Sequence, residues 1–320
     1  MITILGAGVA GLCTATVLAE RGQSVRVLDN GPEGAGASWL AGGMLAPCVE
    51  SEQAPPEVAR LGSLAADWWA ARVPGVERRG TLVVAPARDG AEVDRFAART
   101  SGHERIDPAR IAALEPDLAG RFATALFYES EAHLDPRRAL RTLADGLRAR
   151  GIEVRHDAPI AGTEADIDCR GLAARNRLPG LRAVRGEMLI LRCPDVTLTR
   201  PVRLLHPRFP VYVVPRGDGL YMVGATMIES DATGPITLRS ATELMSAAFA
   251  LHPGFAEAAV VETGCGLRPA WPDNLPRVTY SGGRMHLNGL YRHGFLTAPA
   301  LAEQLADRFI QSQREAAHAD

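Results

Sequence analysis

The chain has 320 residues, 47% of them hydrophobic and 22% charged, with a net charge of −2. That length suggests two interleaved domains with sizeable cores, and the near-neutral charge argues against a nucleic acid or other polyanion as partner. Five scattered cysteines without a CxxC pair indicate neither a disulfide framework nor a zinc site, and a reduced cytoplasm suits them.

Residues 2–5 read as a short buried strand, and Gly6-x-Gly8-x-x-Gly11 follows at once, with helical composition over 12–21. Gly6 makes a tight turn, Gly8 admits backbone amides to a pyrophosphate, and Gly11 lets helix and strand pack closely. Val9 and Ala10 open the helix, whose N-terminus aims free N–H groups and its positive dipole end at the phosphates. A second strand over 24–28 runs into Asp29 and Asn30. Asp29, 18 residues past Gly11, suits a ribose hydroxyl pair. Strand, glycines, helix, strand and acid in register predict a bound dinucleotide, NAD or FAD. A secretory leader is the rival reading of the apolar opening. No Lys or Arg precedes the apolar run and glycines interrupt it, which speaks against a leader. No later stretch reaches the roughly 18 apolar residues of a spanning helix, so a soluble protein without membrane contact is expected.

Residues 31–47 are too glycine-rich for a regular element and too apolar for a solvated linker. They are expected against the ligand, with the Ser38 hydroxyl and the Gly42–Gly43 backbone in contact with it. An amphipathic helix over 57–71 uses Trp68 and Trp69 for packing. A strand follows at 80–85, a short helix at 107–115 with Pro108 in its first position, and a strand around 127–129. A helix over 136–151 and a strand over 152–155 resume the β-α-β rhythm, and 166–171 reads as a strand ending in a glycine turn. From Arg185 the texture changes: apolar strands at 187–191, 211–214 and 220–224 lack intervening helices, as in an antiparallel sheet. A helix over 238–251, a strand over 285–289 and a closing helix over 299–311, N-capped by Thr297, complete the chain. His206, His252 and His293 lack metal-ligand spacing, so no metal is expected.

Six later segments then fall in order: Ala37-Ser-Trp-Leu-Ala-Gly-Gly-Met-Leu-Ala-Pro47, Val184-Arg-Gly-Glu-Met188, Val211-Tyr-Val-Val-Pro-Arg216, Val223-Gly-Ala-Thr-Met227, Gly266-Leu-Arg-Pro269 and Tyr291-Arg-His-Gly-Phe-Leu-Thr-Ala-Pro299. With the opening loop this set resembles the FAD-dependent D-amino acid oxidase family, nearest its glycine oxidase branch, from the first residues to the last helix. The resemblance implies an α/β fold: a Rossmann-like FAD-binding domain (1–78, 132–184 and 262–320) with an inserted antiparallel-sheet substrate domain (79–131 and 185–261). It implies oxidation of glycine to its imine, with electrons passed to O2 as peroxide and the imine supplied to thiazole formation in thiamine biosynthesis. Homo-oligomers and thiazole-synthesis proteins are the partners it suggests. Residue by residue, Arg268 matches the arginine that clamps the substrate carboxylate, Tyr212 a tyrosine that helps hold it, and Arg292 a second arginine nearby. Met44 and Met227 match residues beside flavin and substrate, and Ile160 a backbone contact at the adenine end.

The residues support that chemistry themselves. An amino-acid carboxylate suits arginine's planar fork, and orientation plus electrostatics is what a flavin enzyme must supply. The turn His293-Gly294-Phe295-Leu296, leading into a helix, would stabilise negative charge on reduced flavin. There are departures from the family pattern. Asp29 stands where Glu is usual, residues 166–174 replace an apolar strand ending in Ala-x-Gly-x-Trp, and Trp39 replaces a small residue. Cys265 lies where some sarcosine oxidase relatives bind flavin covalently, but its spacing differs, so non-covalent FAD is expected. A sarcosine or D-amino acid oxidase or dehydrogenase is the alternative within the family.

Overall fold

The computed structural model describes residues 1–206 and 210–319. The opening strand β1 (Ile2–Leu5) is central in a six-stranded sheet. Helix α1 (Val9–Glu20) follows it, and then comes β2 (Val25–Leu28). A two-stranded ribbon is begun by β3 (Met44–Leu45), and α2 (Pro47–Glu50), α3 (Pro56–Gly62) and α4 (Ala65–Ala70) come next. The helix expected over 57–71 is thus two. Gly62 lies against Leu296, where an added Cβ would sit 2.6 Å from Leu296 Cδ1, and the Ser63 hydroxyl donates to Arg60 O at 2.9 Å, closing the first helix.

The chain then leaves the first sheet through β4 (Thr81–Val84), α5 (Ala91–Arg99), β5 (Glu104–Ile106), α6 (Pro108–Leu114) and β6 (Ala125–Tyr128). Asp107 caps α6 by accepting from Arg110 N at 2.8 Å, with Pro108 at its first position. It returns through β7 (Ala132–His133), which pairs with β3, and through α7 (Pro136–Ala149), β8 (Val154–Arg155) and β9 (Ile167–Asp168). The second excursion comprises β10 (Arg182–Arg192), β11 (Val202–Leu204), β12 (Val211–Gly217), β13 (Leu220–Gly224), α8 (Leu238–Leu251) and β14 (Ala259–Ala270). The antiparallel pair β15 (Arg277–Ser281) and β16 (Arg284–Asn288) and the closing α9 (Gly294–Ala319) end the chain.

The first sheet runs β15-β16-β9-β1-β2-β8, parallel except at the β15 edge, with α1, α7 and α9 buried against it. The second runs β14-β10-β13-β12-β11-β4-β6-β5. It is antiparallel as expected except between β11 and β4, where Val202 pairs with Leu82 in parallel because the two excursions meet there. A separate apolar core fills the space between this sheet and α6 and α8. No helix among the described residues is long and apolar enough to cross a membrane.

The closing helix starts earlier than expected. It begins at Gly294, and Thr297 lies within its first turn, its hydroxyl bonded to His293 O at 2.9 Å. Pro299, inside the helix, has no N–H for the carbonyl of Phe295. The indole of Trp69, fully buried, fills the gap by donating to Phe295 O at 2.8 Å. Trp69→Phe keeps the ring but strands that carbonyl, so a loss of about 1–3 kcal/mol in unfolding free energy by denaturant titration is expected. A loss below a few tenths would mean that water serves Phe295 equally well.

Candidate active site

The glycines of the opening loop have the steric demands read from their spacing. Gly6 has φ +99° and an added Cβ there would sit 2.7 Å from Cys169 O. At Gly11 it would sit 1.8 Å from Gly6 O, so α1 can rest on the loop only without a side chain. The amides of Gly8, Val9, Ala10 and Gly11 belong to the end of α1 that lacks intrahelical acceptors; Val9 N–H is taken by the Ser38 hydroxyl at 3.1 Å. The Asp29 carboxylate accepts from Ala7 N at 2.6 Å and Gly31 N at 2.8 Å, tying the end of β2 to the loop. Asn30 lies beside it on the wall of a cavity of about 650 Å³.

That cavity runs from the opening loop, past Trp39 and residues 40–44, to β10, β14 and the start of α9. Gly42 and Met44 line it. Gly43, φ +75°, also does so while pressed onto β7, where a Cβ would be 2.1 Å from Leu134 O. Arg216 of β12, half-buried and with its pKa pushed down to about 10 by desolvation, donates to Leu134 O at 2.9 Å and Ala41 O at 2.8 Å. It fastens residues 41–43 in place. Residues 169–173, at the exit of the short β9, line the cavity despite their unusual sequence. Ile160 does not: it packs against Leu5, Leu28 and Ala158, while His156 occupies the wall there. His293, Gly294, Phe295 and Leu296 form the opposite wall, and the α9 N-terminus that faces the cavity is Gly294 rather than Thr297.

Arg268, on β14, is the cation of the far end. Its guanidinium crosses Gly186 of β10, where any Cβ would lie 2.2 Å from Cζ. One N–H goes to Thr226 O at 2.9 Å, and among the described residues it pairs with no carboxylate. Burial lowers its pKa to about 10, which leaves it charged at neutral pH. Cys265 is paired with Glu187, and strand alternation puts it on the face opposite Gly186 and Arg268.

Tyr212 and Arg292 meet at a residue that sequence reasoning missed, Glu50. Its Oε1 accepts from the Tyr212 hydroxyl at 2.9 Å, and its Oε2 from Arg292 Nε at 2.8 Å, with Arg292 Nη2 at 2.6 Å. His293 Nδ1 lies 3.3 Å from the same oxygen, and Arg203 Nη1 donates to the Tyr212 oxygen at 2.7 Å. Burial opposes ionisation of Glu50, but Arg292, His293 and Arg203 outweigh it and hold its pKa well below the ordinary range. Met227, half exposed, accepts on sulfur from Arg292 Nη1 at 3.2 Å and from the Tyr291 hydroxyl at 3.4 Å. Nothing in the local sequence singles out Glu50, which reaches Tyr212 across 162 residues.

Glu131 supports α2 from below, accepting from Val49 N at 2.8 Å. It is fully buried, and desolvation raises its pKa to about 8. The folded chain therefore keeps a proton that the unfolded chain releases above about pH 4.5, and stability falls as pH rises from there to about 8. Glu131→Gln, neutral at every pH, is expected to remove that slope, so that its thermal midpoint exceeds that of the parent at pH 9. Parallel pH profiles for the two proteins would refute this.

A glycine-lined loop under a helix N-terminus, continuous with a half-buried arginine that no carboxylate satisfies among the described residues, defines a dinucleotide-dependent enzyme for a small anionic substrate. The family model described as FAD dependent oxidoreductase (DAO) matches residues 1–308, and the chain belongs to that family. It is 58% identical over 320 residues to a Rhizobium etli protein described as the thiamine biosynthesis oxidoreductase ThiO, covering 98% of this chain and 97% of that one. The glycine oxidase of Pseudomonas aeruginosa is 28% identical over 354 residues, covering 98% and 95%. The crystal structure of glycine oxidase from Geobacillus kaustophilus superposes with a TM-score of 0.81 at 22% identity, covering 97% and 94%. The cofactor is FAD, and the residues present fit it: the cradle that side chains at Gly6 or Gly11 would destroy, the unsatisfied amides of α1, and a cavity within the range of roughly 300–1,000 Å³ usual for ligand sites.

Proposed function

We propose that this chain oxidises glycine: the α-carbon loses a hydride and the amine a proton, giving the imine, while O2 is reduced to H2O2. Hydrolysis of free imine gives glyoxylate and ammonia. The observation that carries this reading is Arg268, a half-buried guanidinium on the cavity wall that pairs with no carboxylate among the described residues. Bound FAD supplies the hydride acceptor and the route of electrons to oxygen.

The chain's own residues bind and orient. Arg268 takes the carboxylate through its fork, and Gly186 leaves room for that fork to lie flat. Tyr212 acts through Glu50, to which its hydroxyl proton is committed, and Arg292 balances the Glu50 charge. Met44 and Met227 close the apolar sides. The amides at the start of α9, with its positive dipole end, stabilise negative charge at that wall. Asp29, Asn30, Ser38, Gly42 and Gly43 hold FAD without a covalent bond; Cys265 borders the cavity, but strand alternation turns its side chain away from the Arg268 face of β14. The FAD-binding domain is assigned to 1–78, 132–184 and 262–320 and the substrate domain to 79–131 and 185–261; the pairing of β14 with β10 through Ala270 favours a last boundary near 271. Similarity to ThiO supports supply of the imine to thiazole-forming proteins, and a cytoplasmic homo-oligomer is proposed with it.

Anaerobic addition of glycine to the yellow protein is expected to bleach the flavin, with peroxide formed when air is admitted. Sarcosine or D-alanine as much the better reductant would replace glycine by the alternative substrate.

A further inference from the structure

The cavity end holds two arginines, Arg268 and Arg292, in very different states. Arg268 gives one N–H to a backbone carbonyl and keeps the rest of its donors. Arg292 has the Nε and Nη2 edge of its fork on Glu50 Oε2, at 2.8 and 2.6 Å, and its Nη1 on Gln53 Oε1 at 3.2 Å and Met227 Sδ. Glu50 is buried and Arg292 half-buried, so the pair is screened by solvent less than a surface pair. Arg203 and His293 are the other basic groups facing Glu50.

We propose that Glu50 sets substrate selectivity by occupying Arg292, so that the site binds amino acids bearing one carboxylate and rejects those bearing two. Without that charge the Arg292 fork would be free for a second carboxylate on the cavity wall. With it, a second anion meets both an occupied arginine and a like charge. Discrimination of this kind comes from the repulsive group as much as from the attractive one.

This rests on the reading of the cavity as an amino-acid site, and the test separates the two. Acetate and malonate are titrated into the FAD-loaded protein and followed by the flavin absorbance, which requires no turnover. The unaltered protein is expected to bind acetate in preference to malonate. Glu50→Gln, which removes the charge and keeps one acceptor oxygen beside an NH2 group, is expected to shift the malonate-to-acetate affinity ratio at least about tenfold toward malonate. Glu50→Asp should retain the parental ratio, and Glu50→Gln with Arg292→Gln should lose the gain. In turnover, the Gln variant should shift the kcat/KM ratio of iminodiacetate to glycine in the same direction.

An unchanged affinity ratio in Glu50→Gln, or a gain that survives loss of Arg292, overturns the proposal. So does a parent that binds no acetate. Should Glu50→Gln not fold, Arg292→Gln alone leaves Glu50 balanced only by Arg203 and His293 and is expected to weaken acetate at least about tenfold; unchanged acetate binding then overturns the assignment. Failure of glycine to reduce the parent's flavin would count against the proposed substrate alone, because the anion titrations stand without it.

Discussion

Arg268→Gln is expected to lower kcat/KM for glycine by about 10³-fold, roughly 4 kcal/mol, while the purified protein stays yellow. The substitution removes a half-buried cation on the cavity wall whose donors, among the described residues, no carboxylate takes. An amino-acid carboxylate leaving water would then meet only neutral donors, and burying a charge without a partner costs several kcal/mol. Arg268→Lys restores charge but not the fork, so it should recover part of the loss, chiefly as a lower KM. The flavin should stay bound because Arg268 lies at the far end of the cavity from Gly6 and Asp29. Rapid-reaction reduction by glycine, measured across glycine concentration, distinguishes weakened binding from slower chemistry. Loss of less than about tenfold in both variants would show that another group holds the carboxylate, and Arg292 would become the candidate.

What could be read from the sequence divides along a physical line. Gly6, Gly8, Gly11 and Asp29 are close in the chain and act through backbone geometry, so their spacing carries their arrangement. Arg268 emerged because its segment resembles a family pattern, not because its surroundings reveal it. Its bed, Gly186, lies 82 residues earlier and was visible only as one glycine in a strand. Glu50 was invisible for a stronger reason. A glutamate after a proline-headed turn is ordinarily solvated, and only the fold brings Tyr212, Arg292 and His293 onto it. Thr297 shows a local rule overridden. Thr two residues before Pro reads as a cap, yet the helix starts at Gly294, five residues before Pro299, because Trp69 satisfies the carbonyl that Pro299 leaves unpaired. Ile160, expected to offer a backbone contact at the adenine end, turns its side chain into an apolar cluster under β1 and β2, which the sequence did not reveal.

Glu187→Ala is expected to be the most destabilising single change near the site, by about 3–5 kcal/mol and a fall in thermal midpoint on the order of 10 °C. Glu187 is fully buried on β10 and accepts from Arg185 Nε at 3.0 Å, Arg185 Nη2 at 2.6 Å and Thr237 N at 3.2 Å. Arg185, itself buried, also donates to Ala232 O at 2.7 Å and Pro235 O at 2.6 Å, binding residues 232–237 to the sheet. Removing the carboxylate leaves that guanidinium buried beside neutral acceptors only, and an uncompensated buried charge is the costly case. The effect should reach the substrate arginine through one intermediate. The Thr226 hydroxyl accepts from Glu187 N at 2.9 Å and lies 3.2 Å from Glu187 Oε2, while Thr226 O accepts from Arg268. Loosening Thr226 should therefore raise KM for glycine with a smaller change in kcat. Glu187→Gln, which keeps an acceptor but also turns an NH2 group toward Arg185, should fall between parent and alanine variant. The comparison is made at saturating FAD, so that cofactor loss does not enter the midpoint. A midpoint within about 2 °C of the parent would show that Arg185 is held by its carbonyl partners alone.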